Sequence, residues 1–112
     1  MKLVDLNPHF LKRAHEDGHE IWKTNVGIQE ADGIEFLCPK CFEANGGSIG
    51  THAVICWNPS VPQTVAPIPG RWNLQGSGFH DLSLVAGSSS VQLLGDGCKA
   101  HFFIQNGEIK GC

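Results

Sequence analysis

Two short-spaced pairs of metal-ligand residue types stand far apart in the chain, Cys38-Pro39-Lys40-Cys41 and Cys98-Lys99-Ala100-His101. Three thiols and one imidazole are the donor set of a four-coordinate structural zinc site. A turn with two intervening residues lets both side chains of a pair face one point, so each pair can fill two corners of a tetrahedron. The sequence therefore predicts one structural Zn2+ held by Cys38, Cys41, Cys98 and His101. Cys112 could stand in for His101 if the end of the chain folds back toward Cys98. Lys40, Lys99 and Lys110 are close enough in sequence to offset the charge of the thiolates.

Three other groupings could do chemistry. His15-Glu16-Asp17-Gly18-His19 matches H-E-x-x-H, in which two imidazoles one helical turn apart bind zinc and the glutamate activates its water. Here Asp17 and Gly18 both disfavour helix, and the flanks are charged rather than apolar. A zinc hydrolase built on this segment, or on His80-Asp81 with His52 joining from a facing strand, is the alternative to a non-catalytic role. The third grouping is a redox dithiol at Cys38 and Cys41. Such a pair needs a strand-to-helix setting, whereas Phe42-Glu43-Ala44-Asn45-Gly46-Gly47 reads as a turn.

Composition narrows the function classes. The 112 residues make one small domain, which leaves little stability in reserve. Structural zinc contributes about 10–16 kcal/mol of apparent binding free energy in small peptides, as large as the whole net stability of an ordinary domain. The 8 Lys and Arg against 11 Asp and Glu, a net charge of −3, argue against nucleic acid and anionic membranes as partners. The opening Met-Lys-Leu-Val-Asp-Leu is broken by Asp5 before a secretory leader could develop, and no apolar run approaches a membrane span. With five cysteines, an odd number, a reducing compartment is expected, the cytoplasm of a bacterial host. Another protein is the expected partner. Trp22, Trp57 and Trp72, with the uncharged stretch 58–70, are the lead for such contacts, set against the reading that they fill core.

The elements that must position these groups follow from local signals. Asn7-Pro8 reads as a helix start, with Phe10, Leu11 and Ala14 on one side and Gly18 at the end. Asp32-Gly33, between 28–30 and 34–36, reads as a hairpin turn that delivers Cys38. Thr51 to Trp57 reads as a buried strand with Cys56 facing the core. The proline-rich stretch from Asn58 to Gly70 is a loop. Arg71–Gln75, with Trp72 and Leu74 inward, Leu82–Val85 and Val91–Leu94 read as short strands around the turn 87–90. Asn106-Gly107 joins a last hairpin, 101–105 with 108–110. The fold expected is mostly β, a small sandwich or half-open barrel of antiparallel strands and hairpins, stabilised by zinc, with one short N-terminal helix. It is a single domain over 1–112, helix and lead-in over 1–22 and β core over 23–112. Phe36, Leu37, Phe102 and Phe103 are expected to pack beneath the metal.

Leu37-Cys38-Pro39-Lys40-Cys41, Arg71-Trp72-Asn73-Leu74-Gln75-Gly76, Leu82-Ser83-Leu84 and the run Gly97-Cys98-Lys99-Ala100-His101-Phe102-Phe103-Ile104-Gln105-Asn106-Gly107-Glu108-Ile109 together resemble a family of small phage and bacterial proteins. Members pair a cysteine knuckle with this C-x-x-H-F-F-I-x-x-G-x-I hairpin. The resemblance, over about the last two thirds of the chain, implies metal binding and a phage or mobile-element origin. Some members carry an ammonia monooxygenase label; this chain has neither a membrane span nor a copper-site arrangement to go with it. It also has Val85-Ala86-Gly87-Ser88 where the family shows a Ser-Pro-Ser turn. The function expected is that of a small zinc-stabilised interaction module without catalysis.

Overall fold

Hydrophobic alternation on both faces of one strand sets the architecture. The structure, a computed structural model, describes residues 1–65, 70–85, 90–92 and 101–111. The described residues form nine strands in three antiparallel sheets. β1 (His9–Glu16), β2 (His19–Lys23), β3 (Gly33–Leu37) and β4 (Ala53–Trp57) make a four-stranded sheet in the order β2-β1-β3-β4. β5 (Asn73–Gln75) pairs with β6 (Ser83–Val85), and β7 (Ser90–Gln92), β8 (His101–Gln105) and β9 (Glu108–Gly111) make a three-stranded sheet. One α-helix, α1 (Pro39–Asn45), links β3 to β4, and a 3-10 turn covers Leu3–Leu6. The mostly β class is as the sequence predicts.

The expected N-terminal helix is a strand. Asn7 takes a left-handed backbone (φ 49°) instead of capping a helix, and the chain enters β1. Phe10 and Leu11 are both buried and point to opposite faces, as successive residues of a strand must. Register makes each face continuous. Phe10, Ile34 and Cys56 lie in one row, and Leu11, Gly33 and Trp57 in the next. The first row, with Phe36 and Val54, faces the main core beside Leu3, Leu6, Leu82, Leu84, Phe102 and Ile104. The second row makes a smaller cluster with Val61. Segment 1–22 is therefore part of the β core, supplying two of the four strands of its largest sheet.

Asp32-Gly33 is not a hairpin turn either. Gly33 is buried at the start of β3, where an added Cβ would stand 2.6 Å from Cε3 of Trp57, so the position needs space. Asp32 ties three strands together: its carboxylate accepts from the Arg13 amide at 2.9 Å, its amide donates to Leu11 O at 2.7 Å, and its carbonyl accepts from the Asn58 amide at 2.7 Å. The two-residue turns lie elsewhere. Asp17-Gly18 (φ 50° and 78°) joins β1 to β2, and Asn106-Gly107 (φ 51° and 75°) joins β8 to β9 as expected. Both central residues have positive φ, the conformation that follows the strand twist.

The uncharged loop after β4 is organised by the one formal charge near it. The Arg71 guanidinium donates to four backbone carbonyls, those of Val61 (2.9 Å), Pro62 (2.6 Å), Val65 (2.9 Å) and Gly70 (2.8 Å). Val61 is thereby held against Leu11 and Trp57. Of the three tryptophans, Trp57 is fully buried, Trp72 is half-buried against the main core, and Trp22 is 44% exposed, meeting Trp57 edge-on at 5.3 Å. Among the described residues no helix is long and apolar enough to cross a membrane.

Candidate metal centre

The Cys-x-x-Cys segment sits where β3 ends. Phe36 pairs with Val54 and Leu37 with Ala53; the next rung brings Cys38 opposite His52, closed by the Cys38 amide donating to His52 O at 2.9 Å. By strand alternation Cys38 and His52 share the face of Phe36 and Val54. Cys38 then caps α1 with an extended backbone, Pro39 takes the first helical position, and Phe42 N–H bonds back to Cys38 O at 2.9 Å. One turn of helix returns Cys41 over the rung. The helix ends at Gly46, left-handed at φ 68°, with Gly47 N–H on Phe42 O at 3.0 Å. Thr51 then holds the way back into β4, its hydroxyl donating to Gly47 O at 2.7 Å and accepting from Asn45 Nδ2 at 3.2 Å.

These elements bring Sγ of Cys38, Sγ of Cys41 and a ring nitrogen of His52 within 4.8 Å of one another. Such a group could hold a metal ion. Tetrahedral N and S ligands at about 2.0–2.3 Å from zinc stand about 3.3–3.8 Å apart, a side-chain rotation away from that spacing. Cys38 is buried, Cys41 half-buried and His52 exposed, so the group has an inner and an outer side. Beneath it Phe36 meets Phe102 edge-on at 6.0 Å, and Leu37 and Phe42 pack on the same core.

Of the four residues that the sequence assigns to the metal, Cys38 and Cys41 are brought together, and Cys98 lies outside the described residues, as does Cys112. His101 is not in the group. Phe102 and Ile104 of β8 face the core, so His101 and Phe103 take the other side of the strand, where their rings stand 6.5 Å apart. Phe103 accordingly does not line the core with Phe102. His52 is the third member of the group, which the two-residue spacings do not point to. The alternations Ile34-Phe36-Cys38 and His52-Val54-Cys56 were both visible, but only the pairing of β3 with β4 sets their ends side by side.

The other groupings do not assemble. His15 pairs with Glu20 and His19 with Glu16 across the hairpin, which puts the two imidazoles on opposite faces of the ribbon and not one helical turn apart. Glu20 lies 2.6 Å from Arg13, whose hydrogen bond holds its carboxyl below the usual range. Asp81 is occupied by its own loop. It accepts from the amides of Ser77 (2.9 Å) and Gly78 (2.9 Å) and from the Ser77 hydroxyl (2.8 Å), and the amide bonds lower its pKa most. His80 is exposed beside it. Cys56 is sealed in the core, and burial pushes its thiol far up from the ordinary value.

The setting of Cys38 and Cys41 corrects one further expectation. Cys41 lies in the first turn of a helix, so the pair does sit at a strand-to-helix junction. Comparison with protein-family models, with curated proteins and with solved structures finds no match to this chain.

Proposed function

We propose that this protein is a zinc-stabilised β module that acts by binding another protein and not by catalysis; the resemblance to small phage and bacterial proteins implies the metal binding. The observation that carries the metal reading is the convergence of Cys38, Cys41 and His52 from the end of β3, the first turn of α1 and the entry to β4. Two thiols and an imidazole suit Zn2+, and three elements tied by one ion is what a small domain with little core gains most from. Cys98 is the sequence's candidate for the fourth position. The proposed contact surface is the outer ribbon β1–β2, where Trp22 stands exposed on an edge strand among charged neighbours.

Elemental analysis of the purified protein tests the metal reading, repeated on Cys41→Ser, His52→Ala, Cys98→Ser and His15→Ala. One equivalent of zinc, lost with the fold in Cys41→Ser and Cys98→Ser, weakened in His52→Ala and retained in His15→Ala, is the expected pattern. Zinc that survives Cys41→Ser but is lost in His15→Ala would overturn it. For the binding role, a partner retained by the wild-type bait and lost by Trp22→Ala is expected. Hydrolysis that depends on His80 and on added zinc would replace it with catalysis.

A further inference from the structure

Cys38 and Cys41 differ in access in a way that a purely structural zinc site does not require. Cys38 has no exposed surface, whereas Cys41 is half-buried, and the two sulfurs already lie within 4.8 Å. They are two residues apart at a strand-to-helix junction, where side-chain rotation alone can close the remaining distance to a bond of about 2.05 Å. The third ligand, His52, belongs to another strand and is exposed. An oxidant approaching from the His52 side meets Cys41 first and finds Cys38 behind it.

We infer that Cys38 and Cys41 form a peroxide-sensitive dithiol whose oxidation to a disulfide expels the metal; this rests on the reading that a metal is bound there. The Cys41 thiolate attacks one oxygen of hydrogen peroxide. An S–O bond forms, the O–O bond breaks, and the leaving hydroxide takes a solvent proton to become water. The Cys38 thiolate then attacks Cys41 Sγ; the S–S bond forms, the S–O bond breaks, and a second hydroxide leaves and is protonated to water. The two sulfurs together lose two electrons, the two peroxide oxygens gain them, and two protons come from solvent. The metal leaves as a divalent cation because two of its anionic ligands are gone, and His52 with the candidate fourth ligand Cys98 does not suffice to hold it. The disulfide closes only the first turn of α1, so the tie from that turn to β4 is cut. Oxidation thus loosens the α1–β4 connection, and a thiol reductant with zinc restores it. Cys56, buried and close in sequence to His52, is the internal control, a thiol the same oxidant does not reach.

The test uses the full chain as purified, with zinc measured first. Hydrogen peroxide is titrated in the presence of a chromogenic zinc chelator, and the product is read by intact mass and peptide mapping. The expected result is release of one zinc per chain together with loss of two hydrogens, a mapped Cys38–Cys41 link, an unmodified Cys56, and recovery with dithiothreitol and zinc. Cys56→Ala is expected to behave as wild type. Zinc retained through tenfold excess peroxide, or released with a disulfide to Cys98 or with sulfinic acid in place of the Cys38–Cys41 link, overturns the inference and leaves the metal site standing. A protein that neither carries nor takes up zinc overturns both. Wild-type mapping alone decides the pairing, so the outcome does not depend on a cysteine variant that fails to fold.

Discussion

Gly107→Ala and Gly18→Ala make a paired experiment on why the two hairpin turns need glycine. Both residues have left-handed backbones, φ 75° and 78°, which cost a residue with a Cβ about 1–2 kcal/mol. Beyond that they differ. Nothing lies within 4 Å of a Cβ on Gly18, whereas one on Gly107 would overlap the His80 carbonyl and stand 3.0 Å from Phe79 O. Relieving that overlap moves Gly107 away from the loop that also binds it. Its amide donates to Leu82 O at 2.8 Å, and its carbonyl accepts from the Leu3 amide at 2.8 Å. At about 0.5–1.5 kcal/mol each, losing both bonds adds about 1–3 kcal/mol. The expectation is about 1–2 kcal/mol for Gly18→Ala and about 2–5 kcal/mol for Gly107→Ala, a large share of a small domain's stability. Urea titrations at fixed zinc, followed by tryptophan fluorescence, read the difference as midpoints with an unchanged slope. Equal midpoint shifts in the two variants would refute the packing argument and leave backbone conformation as the whole effect.

Other outcomes follow from the same geometry. Asp81 has its pKa lowered in the fold from an ordinary value of 3.8, so its contribution to stability is fully present above that value and is lost as pH falls through the depressed one; Asp81→Asn should flatten the acid limb of a stability-versus-pH curve, and an unchanged limb would show the carboxylate bonds to be weightless. Arg71→Lys removes the planar fork that reaches four carbonyls, so amide exchange at Val61 and Val65, whose N–H groups bond to Asn58 O and Pro62 O, should rise about tenfold, the equivalent of about 1.4 kcal/mol; unaltered exchange would mean that the loop holds itself. Cys56→Ser should cost about 1–3 kcal/mol more than Cys56→Ala, because a hydroxyl would be buried among Ile34, Phe10 and Leu84, and equal denaturation midpoints for the two variants would sink that expectation.

How much of this is legible in the sequence is best seen in three of its Asx-Gly pairs. Asn106-Gly107 reads as a hairpin turn and is one. Asp32-Gly33 carries the same local signal, yet Gly33 is there because Trp57 lies across it. Gly18 reads as a helix end, and Asp17-Gly18 is the second two-residue turn. Local chemistry shows that a glycine is needed; whether it supplies positive φ or empty space depends on which strand covers it. The Asn7-Pro8 signal failed for a related reason. Phe10 and Leu11 suit one side of a helix as well as two sides of a strand, and only a sheet with apolar packing on both faces separates these cases.

The sequence by itself determined the mostly β class, the buried strand carrying Cys56, the final hairpin and the nearness of Cys38 to Cys41, since each rests on alternation, turn residues or a two-residue spacing. Tertiary structure alone decided which imidazole joins them. Ligand spacing pointed to His101, one turn beyond Cys98, but strand alternation sends that ring to the face opposite Phe102, and the register of β3 on β4 puts His52 across from Cys38. An imidazole contributed to such a group by a neighbouring strand is set by pairing between segments distant in the chain, and no local pattern of residues encodes that.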